Sequence, residues 1–115
     1  MACLTRDVIL AALAPKLHQV PTPEFGDGAF VLIREFDGKT RQDFADSVGE
    51  NCTNGELYRA AFAFGVTDDS GVPLFSRADL PRLASLVPEL IDRIGQKVVE
   101  LNATNRKSLD DAKKP

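Results

Sequence analysis

Six apolar residues near the end of the chain, Val87, Leu90, Ile91, Ile94, Val98 and Leu101, recur at intervals of 3, 1, 3, 4 and 3. That spacing lays one continuous stripe along an α-helix of roughly four turns. Asp92, Arg93, Gln96, Lys97 and Glu100 fall on the opposite side. A helix patterned this way must bury its stripe, so the rest of the chain has to supply a core. Asn102 closes the helix.

A second periodicity lies upstream. In Ala29–Phe36, Ala29, Val31 and Ile33 alternate with Phe30, Leu32 and Arg34. In Leu17–Val20, Leu17 and Gln19 alternate with His18 and Val20. Period two with β-branched and aromatic residues predicts strands. Gly26-Asp27-Gly28 can supply the positive φ of a turn between them. A β-hairpin is therefore expected over about 16–36. Pro21 and Pro23 lack an N–H to donate, which makes the first strand an edge strand or a short one.

The remaining segments read as helices. Thr5 can cap a short one ending before Pro15, with Asp7 near its positive end and Val8, Ile9, Ala12 and Leu13 as its apolar side. Thr40-Arg41-Gln42-Asp43 is similar to a capping box opening two turns that carry Phe44, Ala45 and Val48 inward to Gly49. Asn54 can cap a helix holding Leu57, Tyr58, Ala61, Phe62 and Phe64, apolar around much of its circumference and so central. It is expected to end near Val66. Asp68-Asp69-Ser70-Gly71 reads as a turn, and Val72–Phe75 as an extended stub. Ser76-Arg77-Ala78-Asp79 opens a short helix, punctuated by Pro81 and Pro88, with Ser85 able to cap the chain again. Together these predict an α+β fold: an N-terminal hairpin packed with four to five α-helices.

The chain has 115 residues, 43% of them hydrophobic, enough for one domain with one core. That domain is expected over 1–103. Residues 104–115 hold one apolar side chain larger than alanine, Leu109, and are expected to form a flexible tail. The net charge is −3, split into −5 for the body and +2 for the tail. This argues against a nucleic-acid binder, which carries a basic face. No apolar run approaches the roughly 20 residues of a membrane span, and the N-terminus has no secretory pattern. Asn51-Cys52-Thr53 and Asn102-Ala103-Thr104 match the glycosylation acceptor pattern only by coincidence in that setting.

Catalytic equipment is scarce. There is one histidine, His18, and two cysteines, Cys3 and Cys52, too few for the clusters that acid–base, nucleophilic and zinc chemistry use. Gly26-x-Gly28 lacks the third glycine of a dinucleotide loop, and a strand follows it. Asp68–Gly71 lacks the alternating ligands and closing glutamate of a calcium loop. No catalytic residue, metal or cofactor is expected. The unusual feature is phenylalanine: seven residues, with Phe25, Phe30, Phe36 and Phe75 at or beside turns and strand ends. They either seal the core or form an apolar patch that binds protein. Arg34 interrupts its apolar run, either paired with an acid such as Glu24 or contacting a partner chain.

Ordered together, several of these segments resemble a known family. Val20-Pro21-Thr22-Pro23-Glu24-Phe25-Gly26, then Val31-Leu32-Ile33-Arg34-Glu35-Phe36-Asp37-Gly38 and Arg41, is similar to the N-terminal signature of tail assembly chaperones from long-tailed double-stranded DNA phages. Asp68-Asp69-Ser70-Gly71-Val72-Pro73-Leu74-Phe75-Ser76, followed by Asp79-Leu80, is similar to that family's second turn, and the Leu101-Asn102 close to its final helix. The resemblance runs over about 20–102; Pro23, Pro81 and Pro88 depart from the pattern and bear on element boundaries.

The resemblance implies a non-enzymatic assembly factor of the host cytoplasm, absent from the mature virion. It implies tape-measure and tail-tube proteins as partners, self-association into a homo-oligomer, and no nucleic acid or membrane. In such a factor Phe25, Phe36 and Phe75 would bind the partner and Arg34 would orient it. The family often makes a longer form by ribosomal frameshifting, and Lys113-Lys114 is compatible with such a site. A structural head–tail joining or minor tail protein retained in the particle is the alternative.

Overall fold

The computed structural model describes residues 3–102. The elements run α1 (Arg6–Leu13), β1 (Leu17–Pro21), a 3-10 turn (Pro23–Phe25), β2 (Phe30–Arg34), α2 (Gly38–Ser47), α3 (Asn54–Gly65) and β3 (Val66–Thr67). A second 3-10 turn (Arg77–Asp79) leads into α4 (Leu80–Ala84), and α5 (Pro88–Asn102) follows. The fold is α+β, with five helices and a three-stranded antiparallel sheet of order β1-β2-β3 among the described residues. The hairpin, the central helix and the amphipathic final helix stand where the periodicities put them. The expected tail over 104–115 lies outside the described residues.

The hairpin register follows the two alternations. His18 pairs with Ile33 and Val20 with Val31; on the other face Leu17 pairs with Arg34, Gln19 with Leu32 and Pro21 with Phe30. Val20 and Ile33 are buried, so the first set faces the helices. β1 is an edge strand, which tolerates Pro21. The turn is longer than Gly-Asp-Gly alone: the Pro23–Phe25 3-10 turn precedes it, and Gly26 takes φ +124°, a conformation side chains disfavour. β3 was not expected. It continues directly from α3, pairs Val66 with Ile33 and Thr67 with Leu32, and bridges Thr67 to Pro73 in the extended stub. Two residues are too few to show an alternation.

Beneath the sheet, α3 lies against α5. Leu57, Ala60, Ala61, Phe62 and Ala63 of α3 are buried with Ile91, Ile94, Val98 and Val99 of α5, and α2 adds Phe44 and Ala45. Alanines on α3 let the two helices approach closely. The end of α5 is stitched to the sheet by Asn102. Its Oδ1 accepts from the Phe36 N–H at 2.7 Å, and its Nδ2 donates to the Arg34 carbonyl at 3.2 Å. Its own carbonyl accepts from Arg41 at 3.1 Å, so one residue joins α5, β2 and α2.

Several local expectations are corrected. The cap of α2 is Asp37, whose Oδ1 accepts from the Thr40 N–H at 2.7 Å, and not Thr40. The cap of α3 is Thr53, accepting from the Glu56 N–H at 3.1 Å, and not Asn54. In both places two capping-type residues stand close together, and the earlier one has the extended backbone a cap needs. Ser76 and Asp79 do form the expected capping box. Ser85 closes α4, its hydroxyl donating to the Arg82 carbonyl, and does not recap α5. Val87 precedes α5 and is exposed, whereas Val99, outside the predicted stripe, is buried. Finally, α1 forms where predicted, with Thr5 accepting from the Val8 N–H, but none of its residues is buried.

Candidate interaction surface

The four residues singled out from the sequence occupy different environments. Phe25 ends the 3-10 turn at the tip of the hairpin and is 68% exposed. Its neighbour Glu24 is held by Arg93 of α5 at 2.9 Å. The same guanidinium reaches the Pro21 carbonyl at 3.4 Å. This clamp fixes the loop to the body and leaves the Phe25 ring facing solvent. Phe36 and Phe75 are half-buried against the core. Phe36 meets Phe44 edge-on at 5.5 Å, and Phe75 lies tilted on Phe62 at 5.3 Å. They seal the core with part of each ring and show the remainder.

Arg34 does not pair with Glu24. Its Nε donates to the Phe64 carbonyl at 2.9 Å, satisfying the C-terminal end of α3. Burial pulls the guanidinium below its ordinary value and nearby Asp37 opposes this, yet the group stays charged at any physiological pH. Arg34, Glu35 and Asp37 line a shallow depression of about 380 Å³ with Pro15, Leu17 and the 69–71 turn. His18 lies beside Glu35, Nε2 to Oε2 at 3.0 Å, and Glu35 also accepts from the Lys16 N–H at 3.2 Å. The contact from His18, with help from Lys16, holds the Glu35 carboxyl below the usual carboxylate range. The Thr40 backbone and side chain do the same for Asp37.

A pH prediction follows for Asp37. A carboxylate whose folded pKa is depressed contributes stability above its unfolded pKa and loses it as pH falls through the folded one. Asp37→Ala should therefore cost about 1 kcal/mol at pH 7, the usual value of a cap. The gap to the wild type should begin to narrow below about pH 4, where the unfolded carboxyl protonates, and close as pH falls through the lower folded value. Urea melts of both proteins at pH 7 and pH 3 check this; an equal gap at both values refutes the charged cap.

Two features of the surface lie outside the residues singled out from the sequence. One is α1, whose Val8, Ile9, Leu10 and Leu13 are all exposed, Leu13 at 77%. Its signal was present: Val8–Ala14 is apolar at every position, which is more than one face. The other is the outer side of the hairpin tip, where Gln19, Pro21, Pro23, Gly28, Ala29 and Phe30 line a groove of about 360 Å³. Phe30 stands half-exposed there. Cys3 is exposed and Cys52 buried. Among the described residues no helix is long and apolar enough to cross a membrane, and no cluster of three or more His, Cys, Asp or Glu is placed to hold a metal ion. No family model, curated protein or solved structure matches the chain.

Proposed function

We propose that this protein is a phage tail assembly chaperone: a non-enzymatic factor that covers the tape-measure protein, and contacts tail-tube subunits, during tail assembly in the host cytoplasm, and then leaves before the virion is complete. The observation that carries the reading is exposed apolar area. Twelve large hydrophobic side chains stand exposed among the described residues: Leu4 ahead of α1, and others spread over α1, the hairpin, the 72–74 segment and the α4–α5 junction. A tape-measure chain is long, helical and apolar-striped, and it aggregates when bare. Distributed apolar contacts suit a cover that must come off again, since no single deep pocket anchors it. The net charge of −3 favours solubility of the coated complex. Within this reading Phe25 is the leading anchor. Phe36 and Phe75 offer ring edges, and Arg34 sets the geometry between them. Self-association into a homo-oligomer belongs to the same reading.

Co-expression with the tape-measure protein tests it. Several-fold more soluble tape-measure protein is expected in the presence of this chain, and equal solubility with and without it defeats the reading. Phe25→Ser should weaken the complex roughly tenfold or more, the cost of losing one well-placed aromatic anchor, with the far-ultraviolet circular dichroism unchanged. Mass spectrometry of purified virions separates the alternative: abundant protein in the mature particle identifies a head–tail joining or minor tail protein.

A further inference from the structure

We infer that Arg93 of α5 is a positioning residue for partner binding: it acts through Phe25, by holding the hairpin tip in the arrangement that presents that ring. The inference rests on the function proposed above and specifies how that surface is kept ready.

The tip has little of its own to hold it. Every residue from Pro23 to Gly28 is exposed, so no buried apolar side chain anchors the segment to the core. Gly26 and Gly28 both take positive φ, +124° and +77°, and two glycines in so short a stretch give an untethered loop many other conformations. Its internal bonds are turn bonds. The Phe25 N–H donates to the Thr22 carbonyl at 3.0 Å, and the Gly26 N–H to the Pro23 carbonyl at 3.0 Å. These close the 3-10 turn without setting how it sits on the body. Thr22, 1% exposed, fixes only its base.

Arg93 supplies the tie. Among the described residues it is the only side chain of another element that reaches the 23–28 segment by hydrogen bond or ion pair. One guanidinium nitrogen lies 2.9 and 3.0 Å from the two Glu24 carboxylate oxygens and 3.4 Å from the Pro21 carbonyl. The Glu35 N–H donates to the Lys16 carbonyl and the Thr22 N–H to the Ala29 carbonyl, so even positions bond across the hairpin. The Pro21 carbonyl therefore points outward from the edge strand, and Arg93 joins the end of that strand to the turn. Glu24 directly precedes Phe25, so holding one aims the other. Arg93 itself is exposed on the polar side of α5 and has no core to pack.

A ring already held in place need not be ordered on binding, and ordering is subtracted from affinity. The apparent Kd rises as the fraction of molecules presenting the ring falls. An ion pair with side chains 43% and 47% exposed shifts such a fraction by up to about fivefold. Loss of Arg93 should therefore weaken the complex by less than loss of Phe25 does.

Binding of the tape-measure protein to full-chain variants tests the inference. Arg93→Ala should raise Kd about three- to fivefold, with the urea midpoint and the circular dichroism close to wild type. In the free variant the Phe25 and Gly26 amides should exchange hydrogen several-fold faster. Added to Phe25→Ser, Arg93→Ala should weaken binding no further, because its effect passes through the ring. Glu24→Arg and Arg93→Glu should each weaken binding, and the two together should recover most of the loss, since the reversed pair restores the tie to α5. Additive losses at Phe25 and Arg93, unchanged amide exchange, or a charge reversal without recovery overturns the inference. Wild-type binding that Arg93→Ala leaves unchanged overturns the inference alone and leaves the chaperone reading standing. Absence of binding by the wild type defeats that reading and the inference with it.

Discussion

Phe44→Ala lowers the stability of the domain by about 3–5 kcal/mol, the usual cost of deleting a buried phenylalanine ring. The ring is completely buried, and it stands between two others, Phe36 at 5.5 Å and Phe64 at 5.9 Å. Truncation leaves a cavity bounded by α2, α3 and the chain after β2, three elements that cannot all move inward together. Two aromatic contacts, each worth about 0.5–1.5 kcal/mol beyond area, vanish with it. Since a domain of this size holds about 5–15 kcal/mol in total, the loss is a large fraction of its stability. The readout is the urea midpoint, which should fall with the slope unchanged. Phe44→Leu keeps most of the volume and should cost far less. A midpoint that stays within experimental error for Phe44→Ala would show that the three-ring cluster is not part of the core.

Gly95→Ala is also expected to be damaging, although it adds only one methyl group. A Cβ at position 95 would overlap the Tyr58 carbonyl oxygen and lie 2.7 Å from its carbonyl carbon. Both atoms belong to the α3 backbone, so no rotamer change relieves the overlap, and the helices must separate. On helix propensity alone the change gains about 1 kcal/mol. Overpacking by one group usually costs about 1–3 kcal/mol and more when backbone is the obstacle. The net expectation is a loss of roughly 2 kcal/mol or more, visible as a fall in Tm of about 10 °C or more. Gly65→Ala is the control at the same helix pair. There the nearest atoms are the Val98 side-chain methyls at 2.6 Å, which can yield in part, so its penalty should be smaller. Equal tolerance of both alanines would mean that α3 and α5 are not in backbone contact.

The sequence was most informative where one element states its own burial. The stripe of α5 needs no knowledge of its partner, because helical geometry alone puts Leu90, Ile91, Ile94, Val98 and Leu101 on one side. The hairpin faces were legible for the same reason at period two. Capping was half legible. Residues able to cap are common near a helix start, and only the backbone conformation decides between Asp37 and Thr40 or between Thr53 and Asn54. β3 was invisible, since its two residues are strand only by virtue of pairing with β2.

The candidate surface divides along the same line. That phenylalanines crowd the turns is a property of the sequence, but which of them show themselves is not. Phe25 is exposed because Arg93, 69 residues away along the chain, pins Glu24 beside it. Phe36 is half-covered because Asn102 draws its backbone to the end of α5. Arg34 is engaged with the end of α3 and not with Glu24. Local composition and periodicity thus determined the α+β class, the hairpin and the amphipathic final helix, because each rests on interactions between near neighbours. Which apolar side chains remain in water, and which charges are spent on the fold, was decided by contacts between residues far apart in the chain, and those exist only once the helices and the sheet have closed on one another.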